Sequence, residues 1–262
     1  MPEGHTIHRH ARDQSRFFAG HSLSVSSPQG RFHSGAKKLD GGTLETIDAY
    51  GKHLFYQWEE GQILHVHLGL YGKFRIHKHP IPEPRGQVRL RVVSEERAFD
   101  LNGPTACELL SPRDMKKILD RLGPDPLRKE ADVDWLKQRV QNSKAAIGSL
   151  LLNQSVIAGV GNVYRAEVLH LLGIHPERKG QEISDQEFER LWETIVELLN
   201  IGVKYNRIII NDPQDVGKPR SRMNRSERLR VYKKEFCPVC DSEIESWKLA
   251  SRTIYACPVC QS

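Results

Sequence analysis

Along the first half of the chain apolar side chains recur at every second position. Leu64, Val66 and Leu68 alternate with His65 and His67, Phe74 and Ile76 alternate with Lys73, Arg75 and His77, and Val88, Leu90 and Val92 repeat the pattern. A period of two puts the apolar set on one face of a strand. Residues 46–50 and 53–58 read as two further strands with Gly51-Lys52 between them. Turn signals at Asp40-Gly41-Gly42 and Glu60-Gly61 break up these runs, so the pattern predicts an antiparallel sandwich or barrel preceded by a helix over residues 3–18. Gly123-Pro124-Asp125-Pro126 reads as a hinge. Beyond it the period becomes helical, with candidates at 133–141, 143–153, 163–172 and 184–201, the last opened by the capping-box pair Ser184 and Glu187. The chain is thus an α+β protein of several domains, divided here as 1–128, 129–225 and 226–262.

Between the second and third helical candidates lies Gln154-Ser155-Val156-Ile157-Ala158-Gly159-Val160-Gly161-Asn162. Two glycines ahead of a helix start expose backbone N–H groups that can grip an anion. The pattern fits a tight helix–helix turn equally, and with no strand before it a dinucleotide site is not supported.

Four of the five cysteines crowd the C-terminus as Cys237-x-x-Cys240 and Cys257-x-x-Cys260, with sixteen residues between the pairs. This spacing suits a four-thiolate zinc ribbon, with disulfides or a redox pair as the alternatives. A closed four-cysteine site is structural. Between the pairs, residues 247–249 and 253–255 read as strands joined by Ala250-Ser251-Arg252, a hairpin that presents Arg252 near its tip. The fifth, Cys107, reads as a small buried hydrophobe.

Composition narrows the class further. With 38% hydrophobic and 27% charged residues in a chain of 262, neither disorder nor a fibrous repeat is indicated. Apolar runs such as 208–210 are far too short to span a bilayer, and the start Met1-Pro2-Glu3-Gly4-His5 lacks the features of a signal peptide. A cytoplasmic setting, bacterial or organellar, is therefore expected. The net charge of +6 favours a polyanionic partner, and residues 204–234 carry ten Lys or Arg against three acids. That stretch reads as a solvated loop or as a phosphate-tracking surface. Twelve histidines raise the question of a second metal, at His5, His8 and His10 or at His65 and His67. Without a convergent carboxylate, solvated or phosphate-facing histidines are expected instead.

Pro2-Glu3-Gly4, Gly51-Lys52, the run His67-Leu68-Gly69-Leu70-Tyr71-Gly72, the turn Gly159-Val160-Gly161-Asn162-Val163-Tyr164 and the terminal cysteine pairs together resemble the formamidopyrimidine-DNA glycosylase and endonuclease VIII family. The motifs stand in order across nearly the whole chain. The resemblance implies an N-terminal β-sandwich, a helix–two-turn–helix module and a finger holding one structural zinc ion, with damaged DNA clamped between the halves. It implies no small-molecule cofactor, no membrane, a monomer, and a cytoplasmic, nucleoid-associated enzyme of bacteria.

It also implies roles for single residues. The secondary amine of Pro2 would attack the damaged nucleotide's sugar and pass through an iminium ion to β,δ-elimination. An α-amino group near its reference pKa of ~7.8 is roughly a tenth unprotonated at neutral pH, whereas an unperturbed lysine is below roughly a thousandth. Removal of Met1 is a condition. Taken without the resemblance, Pro2 simply starts a helix, with Glu3 suiting its positive end. Glu3 resembles the family's general acid/base, and Lys52 and Arg252 its phosphate contacts that assist elimination. His67, Leu70, Tyr71, Gly161, Asn162 and Arg252 are the implied DNA-contacting set, Leu70 and Tyr71 filling the gap left by a flipped nucleotide. Gly69 stands where endonuclease VIII relatives carry glutamine, which bears on opposite-base reading. Glycine at position 4 leans toward the endonuclease VIII branch and oxidised pyrimidines. A catalytically silent zinc-ribbon protein binding DNA or RNA is the alternative.

Overall fold

The computed structural model describes residues 2–262 and groups them in two compact units, one of residues up to Glu3 with Ile7–Arg121 and one of Gly4–Thr6 with Leu122–Ser262. Met1, on whose removal the Pro2 amine depends, lies outside the described residues.

Helix α1 (Gly4–Phe18), of which Ile7 onward belongs to the first unit, buries Ile7, Ala11, Gln14 and Phe18, a single face at helical spacing. Gln14 is tolerated there because its Oε1 accepts the Tyr56 hydroxyl at 2.6 Å. There follow β1 (His21–Ser22), β2 (Ser24–Ser26), α2 (His33–Leu39), β3 (Thr43–Tyr50), β4 (His53–Trp58), β5 (Ile63–His67), β6 (Lys73–Lys78), β7 (Val88–Val93), β8 (Arg97–Asn102), β9 (Ala106–Leu110) and α3 (Pro112–Asp120). One sheet runs β1-β3-β4-β5-β9 and the other β2-β7-β8-β6, every pairing antiparallel. Leu54, Tyr56, Leu64 and Val66 of the first and Leu90, Val92, Phe99 and Leu101 of the second are sealed in one core, each worth about 1.5–3 kcal/mol of burial.

The expected alternation places Leu64 and Val66 inward. Yet Ile63 and His65, on the opposite face of β5, are buried too, because α3 packs against β5 and β9. This helix was not foreseen, although its start is legible: the Ser111 hydroxyl accepts the Asp114 N–H with Pro112 in the first turn. Ile76 is a correction in the other direction. It lies on β6 at the edge of its sheet and faces solvent.

The second unit holds α4 (Val133–Gln141), α5 (Ile147–Leu152), α6 (Asn162–Leu171), α7 (Asp185–Tyr205), α8 (Pro213–Val216) and the hairpin β10 (Glu245–Leu249) and β11 (Arg252–Ala256). The Ser184–Glu187 capping box forms as expected and opens α7. The helix predicted over 143–153 is shorter, because residues 143–146 spend their backbone on residues 178–181 instead. Ile147 N–H donates to Arg178 O, Gly180 N–H to Ala145 O and Gln181 N–H to Ser143 O. The apolar faces of α4 to α7 close one core through Leu136, Ile147, Leu151, Val168, Phe188 and Ile195.

The segment read as a hinge is packed rather than loose. Pro124, Asp125 and Pro126 are buried, Gly123 N–H donates to Gln154 O, and Ala158 N–H donates to Pro124 O. A Cβ on Gly123 would stand 2.2 Å from the Val156 carbonyl oxygen. Gly123→Ala is therefore expected to destabilise the protein by about 1–3 kcal/mol, seen as a lower urea midpoint with an unchanged slope. Unchanged stability would show that the Val156 carbonyl gives way without cost.

Candidate functional site

Pro2 lies outside α1, half-buried; the helix begins at Gly4 with Glu3 as its extended N-cap, so Pro2 is not the helix's first residue. Glu3 is sealed from solvent at 0% exposure, and its side chain does not cap the helix. Gly4 is there for a spatial reason. Its N–H donates to Gly159 O at 2.8 Å, and a Cβ would come within 2.9 Å of Gly159 Cα.

Lys52 occupies the second position of the two-residue turn closed by the Tyr50–His53 pair, with Gly51 at φ 56° supplying the left-handed first position. Next to it begins a ladder of imidazoles on the face of the sheet away from the core. His53 pairs across strands with His67, and Phe55 with His65, which in turn pairs with Glu108. His53 Nδ1 lies 2.9 Å from His65 Nε2, and His65 Nδ1 lies 3.0 Å from Glu108 Oε1. Burial, followed by the nearby His67, His65, Arg121 and Lys52, lowers the His53 pKa from 6.5 to about 3. Burial also lowers His65 and His67. The carboxylate can only accept, so His65 carries its proton on Nδ1 and His53 donates from its own Nδ1.

His67 leads into the loop 68–72. Leu68 is buried, Gly72 N–H closes back on Leu68 O at 2.9 Å, and Gly69 sits at φ 63° against Thr105. The loop holds Leu70 at 48% exposure and Tyr71 at 84%, two large side chains kept in water on a tightly folded support.

In the second unit the turn before α6 is organised by Gln154. Its Nε2 donates to Leu152 O and Val160 O, and its Oε1 accepts Gly159 N–H. Gly161 is the N-cap of α6, and Asn162, 5% exposed, is its first residue. Asn162 Nδ2 donates to Thr253 O at 2.9 Å, while its Oδ1 accepts from Arg165. Arg165 also donates to Gly148 O and Leu249 O. The β10–β11 hairpin is thereby gripped on both sides of its turn. The turn itself is two residues, Ala250 and Ser251 at φ 52° and 61°, so Arg252 is the exposed first residue of β11, paired with Leu249, rather than part of the turn.

The four cysteine sulfurs of Cys237, Cys240, Cys257 and Cys260 lie within 4.8 Å of one another. Cys237 to Cys260 is 3.8 Å and Cys240 to Cys257 is 3.4 Å. These separations far exceed a disulfide's ~2.05 Å and approach the edge of about 3.8 Å that a tetrahedron with ~2.3 Å metal–sulfur bonds requires. The cluster can therefore hold a metal ion. Cys107 stands apart, packed against the sandwich core, its thiol pushed up to about 12 by burial.

Two family models match: the formamidopyrimidine-DNA glycosylase N-terminal domain over residues 1–105 and the formamidopyrimidine-DNA glycosylase H2TH domain over 122–214. The chain is 45% identical to "Endonuclease 8 1" of Mycobacterium tuberculosis, covering all of both chains. It is 30% identical to the formamidopyrimidine-DNA glycosylase of Lactococcus lactis over all of this chain and 98% of that one. The chain belongs to the formamidopyrimidine-DNA glycosylase and endonuclease VIII family. Among solved members, the Lactococcus lactis enzyme bound to DNA carrying a benzylated formamidopyrimidine lesion superposes with a TM-score of 0.82 at 27% identity, covering 99% of each chain. Its complex with abasic-site DNA gives 0.82 at 26%, again covering 99% of each chain.

Sequence reasoning missed the partners of these family positions. His53 and Glu108 were not singled out, and His65 was expected in solvent or on phosphate, whereas it is buried between them. Part of the signal was present: His53, His65 and His67 share one parity on adjacent strands, whereas Glu108 joins them only through the register of β9. Burial also lowers His10 from 6.5 to about 4 despite Asp13. Below pH 6.5 the unfolded chain takes up protons that native His53 and His10 refuse, so stability falls as pH falls toward 4. At pH 5, about 1.5 pH units below 6.5, each contributes a loss on the order of 2 kcal/mol. Urea midpoints at pH 7.5 and pH 5 check this, and equal midpoints would show that these imidazoles are not held neutral.

Proposed function

We propose that this chain acts in base excision repair as a bifunctional DNA glycosylase and abasic-site lyase that uses the Pro2 amine as its nucleophile. Membership of the family along the full length gives the reaction class. The observation that carries the residue assignment is Glu3, a carboxylate withdrawn from solvent in the residue that follows the amine.

The amine's lone pair attacks the anomeric carbon of the damaged nucleotide, the base departs with the electrons of the glycosidic bond, and an iminium ion joins Pro2 to the opened sugar. Glu3 protonates the ring oxygen as it opens and moves protons in the later steps. Loss of a proton beside the iminium carbon expels the 3′ phosphate, and a second elimination expels the 5′ phosphate. Lys52 on its tight turn and Arg252 beside the hairpin tip hold flanking phosphates, while Gly161 and Asn162 offer the N-terminus of α6 to another. Leu70 and Tyr71 enter the gap left by the flipped nucleotide, whose extrusion costs roughly a few kcal/mol. His67 anchors the base of their loop.

In the four-cysteine cluster, one zinc ion would serve as a structural closure that fixes the hairpin. The higher identity to an endonuclease 8 than to a formamidopyrimidine-DNA glycosylase, 45% against 30%, supports oxidised pyrimidines as the favoured lesions. The partner is damaged DNA, bound by a monomer in the cytoplasm at the nucleoid, and no helix among the described residues is long and apolar enough to cross a membrane. Residues 1–128 supply the chemistry, 129–225 the helical DNA grip and 226–262 the finger.

Borohydride is expected to trap the Met-free protein covalently on abasic-site DNA, and Pro2→Thr to abolish trapping while DNA binding persists. Failure of the intact protein to trap would leave the silent DNA-binding alternative standing. Zinc removal, or Arg252→Ala, is expected to weaken DNA binding at least several-fold in a filter or anisotropy titration; undiminished affinity in both would remove Arg252 from the interface.

A further inference from the structure

Four thiolates around one divalent ion leave a net charge of −2 on a compact cluster, and N–H or O–H donors aimed at the sulfurs are what such a charge requires. Two donors are local to the knuckles. Cys260 N–H reaches Cys257 Sγ at 3.3 Å, and the Ser242 hydroxyl, 3.4 Å from Cys240 Sγ, becomes the donor of that pair once the sulfur is a thiolate. The donor at Cys237 comes instead from α6, 67 residues earlier, where His170 Nε2 lies 3.3 Å from Cys237 Sγ. Both groups are buried, at 4% and 2% exposure, and His170 Nδ1 has no hydrogen-bond partner among the described residues. That pattern selects one tautomer. With its proton on Nε2, neutral His170 donates to sulfur and leaves a bare nitrogen; with the proton on Nδ1, it would bury an unpaired N–H and turn a lone pair toward a thiolate.

We propose that His170 is a positioning residue of the metal site, donating its Nε2–H to the Cys237 thiolate and so tying the metal to α6. The inference rests on the metal-binding reading of the four cysteines. It adds a fifth side chain that neither the cysteine spacing nor the family motifs include. The same helix holds the hairpin through Asn162 and Arg165, and its Glu167 accepts the N–H groups of Arg230, Val231 and Tyr232 on the approach to Cys237.

Zinc content of the unsubstituted full-length chain is measured first: one ion per chain sustains the metal reading, and none would remove both readings. His170→Phe is then expected to lose zinc to a chromophoric chelator about tenfold more readily or worse, whereas His170→Gln, which keeps an N–H donor, stays within a few-fold of the unsubstituted protein. With cobalt in place of zinc, the sulfur-to-metal charge-transfer bands shift in His170→Phe and not in His170→Gln. Native behaviour of His170→Phe in both assays, or equal impairment of the two variants, would overturn the proposal. Ring-nitrogen NMR of the unsubstituted protein needs no variant to fold: it is expected to show His170 protonated on Nε2, and a proton on Nδ1 would refute the assignment.

Discussion

Helix α6 is the constraint from which the arrangement of the second unit follows. In ten residues it buries four polar side chains, Asn162, Arg165, Glu167 and His170. Taking an arginine and a glutamate out of water costs several kcal/mol each unless their hydrogen-bonding capacity is met. Arg165 donates to the carbonyls of Gly148 and Leu249, and Glu167 accepts three successive backbone N–H groups at 2.8–3.1 Å. Burial raises the Glu167 pKa while those three donors pull it down. The buried charge is therefore used to fix loop backbone that has no helix or strand partner of its own.

The first unit solves a different problem by different means. Lys52, Leu70 and Tyr71 sit between strands, where only tight turns can hold them. Gly51, Gly69 and Gly72 allow the closures that carry Lys52, Leu70 and Tyr71, and the neutral imidazoles of His65 and His53, with Glu108 accepting from His65, tie three adjacent strands by side-chain hydrogen bonds. Because burial denies these imidazoles a proton, the ladder has one donor direction at neutral pH. A charged member would place like charges between Lys52 and Arg121.

What was legible in the sequence is what depends on near neighbours. The strand faces at Leu64 and Val66, the capped start of α7 at Ser184, the bounds of α4 and the paired cysteine knuckles all follow from residues a few positions apart. What escaped depends on distant partners. The start of α5 is set by backbone pairing with residues 178–181, the packing of Gly123 by the carbonyl of Val156, and the burial of His65 by α3 and by Glu108, 43 residues away. Periodicity reports which face a side chain takes and is silent on what covers that face. The family resemblance supplied the positions proposed as catalytic, which periodicity alone would have left as a helix start and a surface lysine.

The hairpin tip joins these two kinds of information. Ala250 and Ser251 both adopt left-handed backbone angles, a conformation two-residue hairpins usually assign to Asn-Gly, and each residue stores on the order of 1 kcal/mol or more. A turn of that kind persists only where its flanks are over-determined. They are: Asn162 grips Thr253 on one strand, Arg165 grips Leu249 on the other, and Trp247 Nε1 donates to Glu177 further along. Arg252, between the strained turn and the Asn162 anchor, thus has its backbone fixed while its side chain remains exposed. The strain sits beside the one residue of the hairpin assigned to phosphate, and the buried side chains of α6 hold it in place.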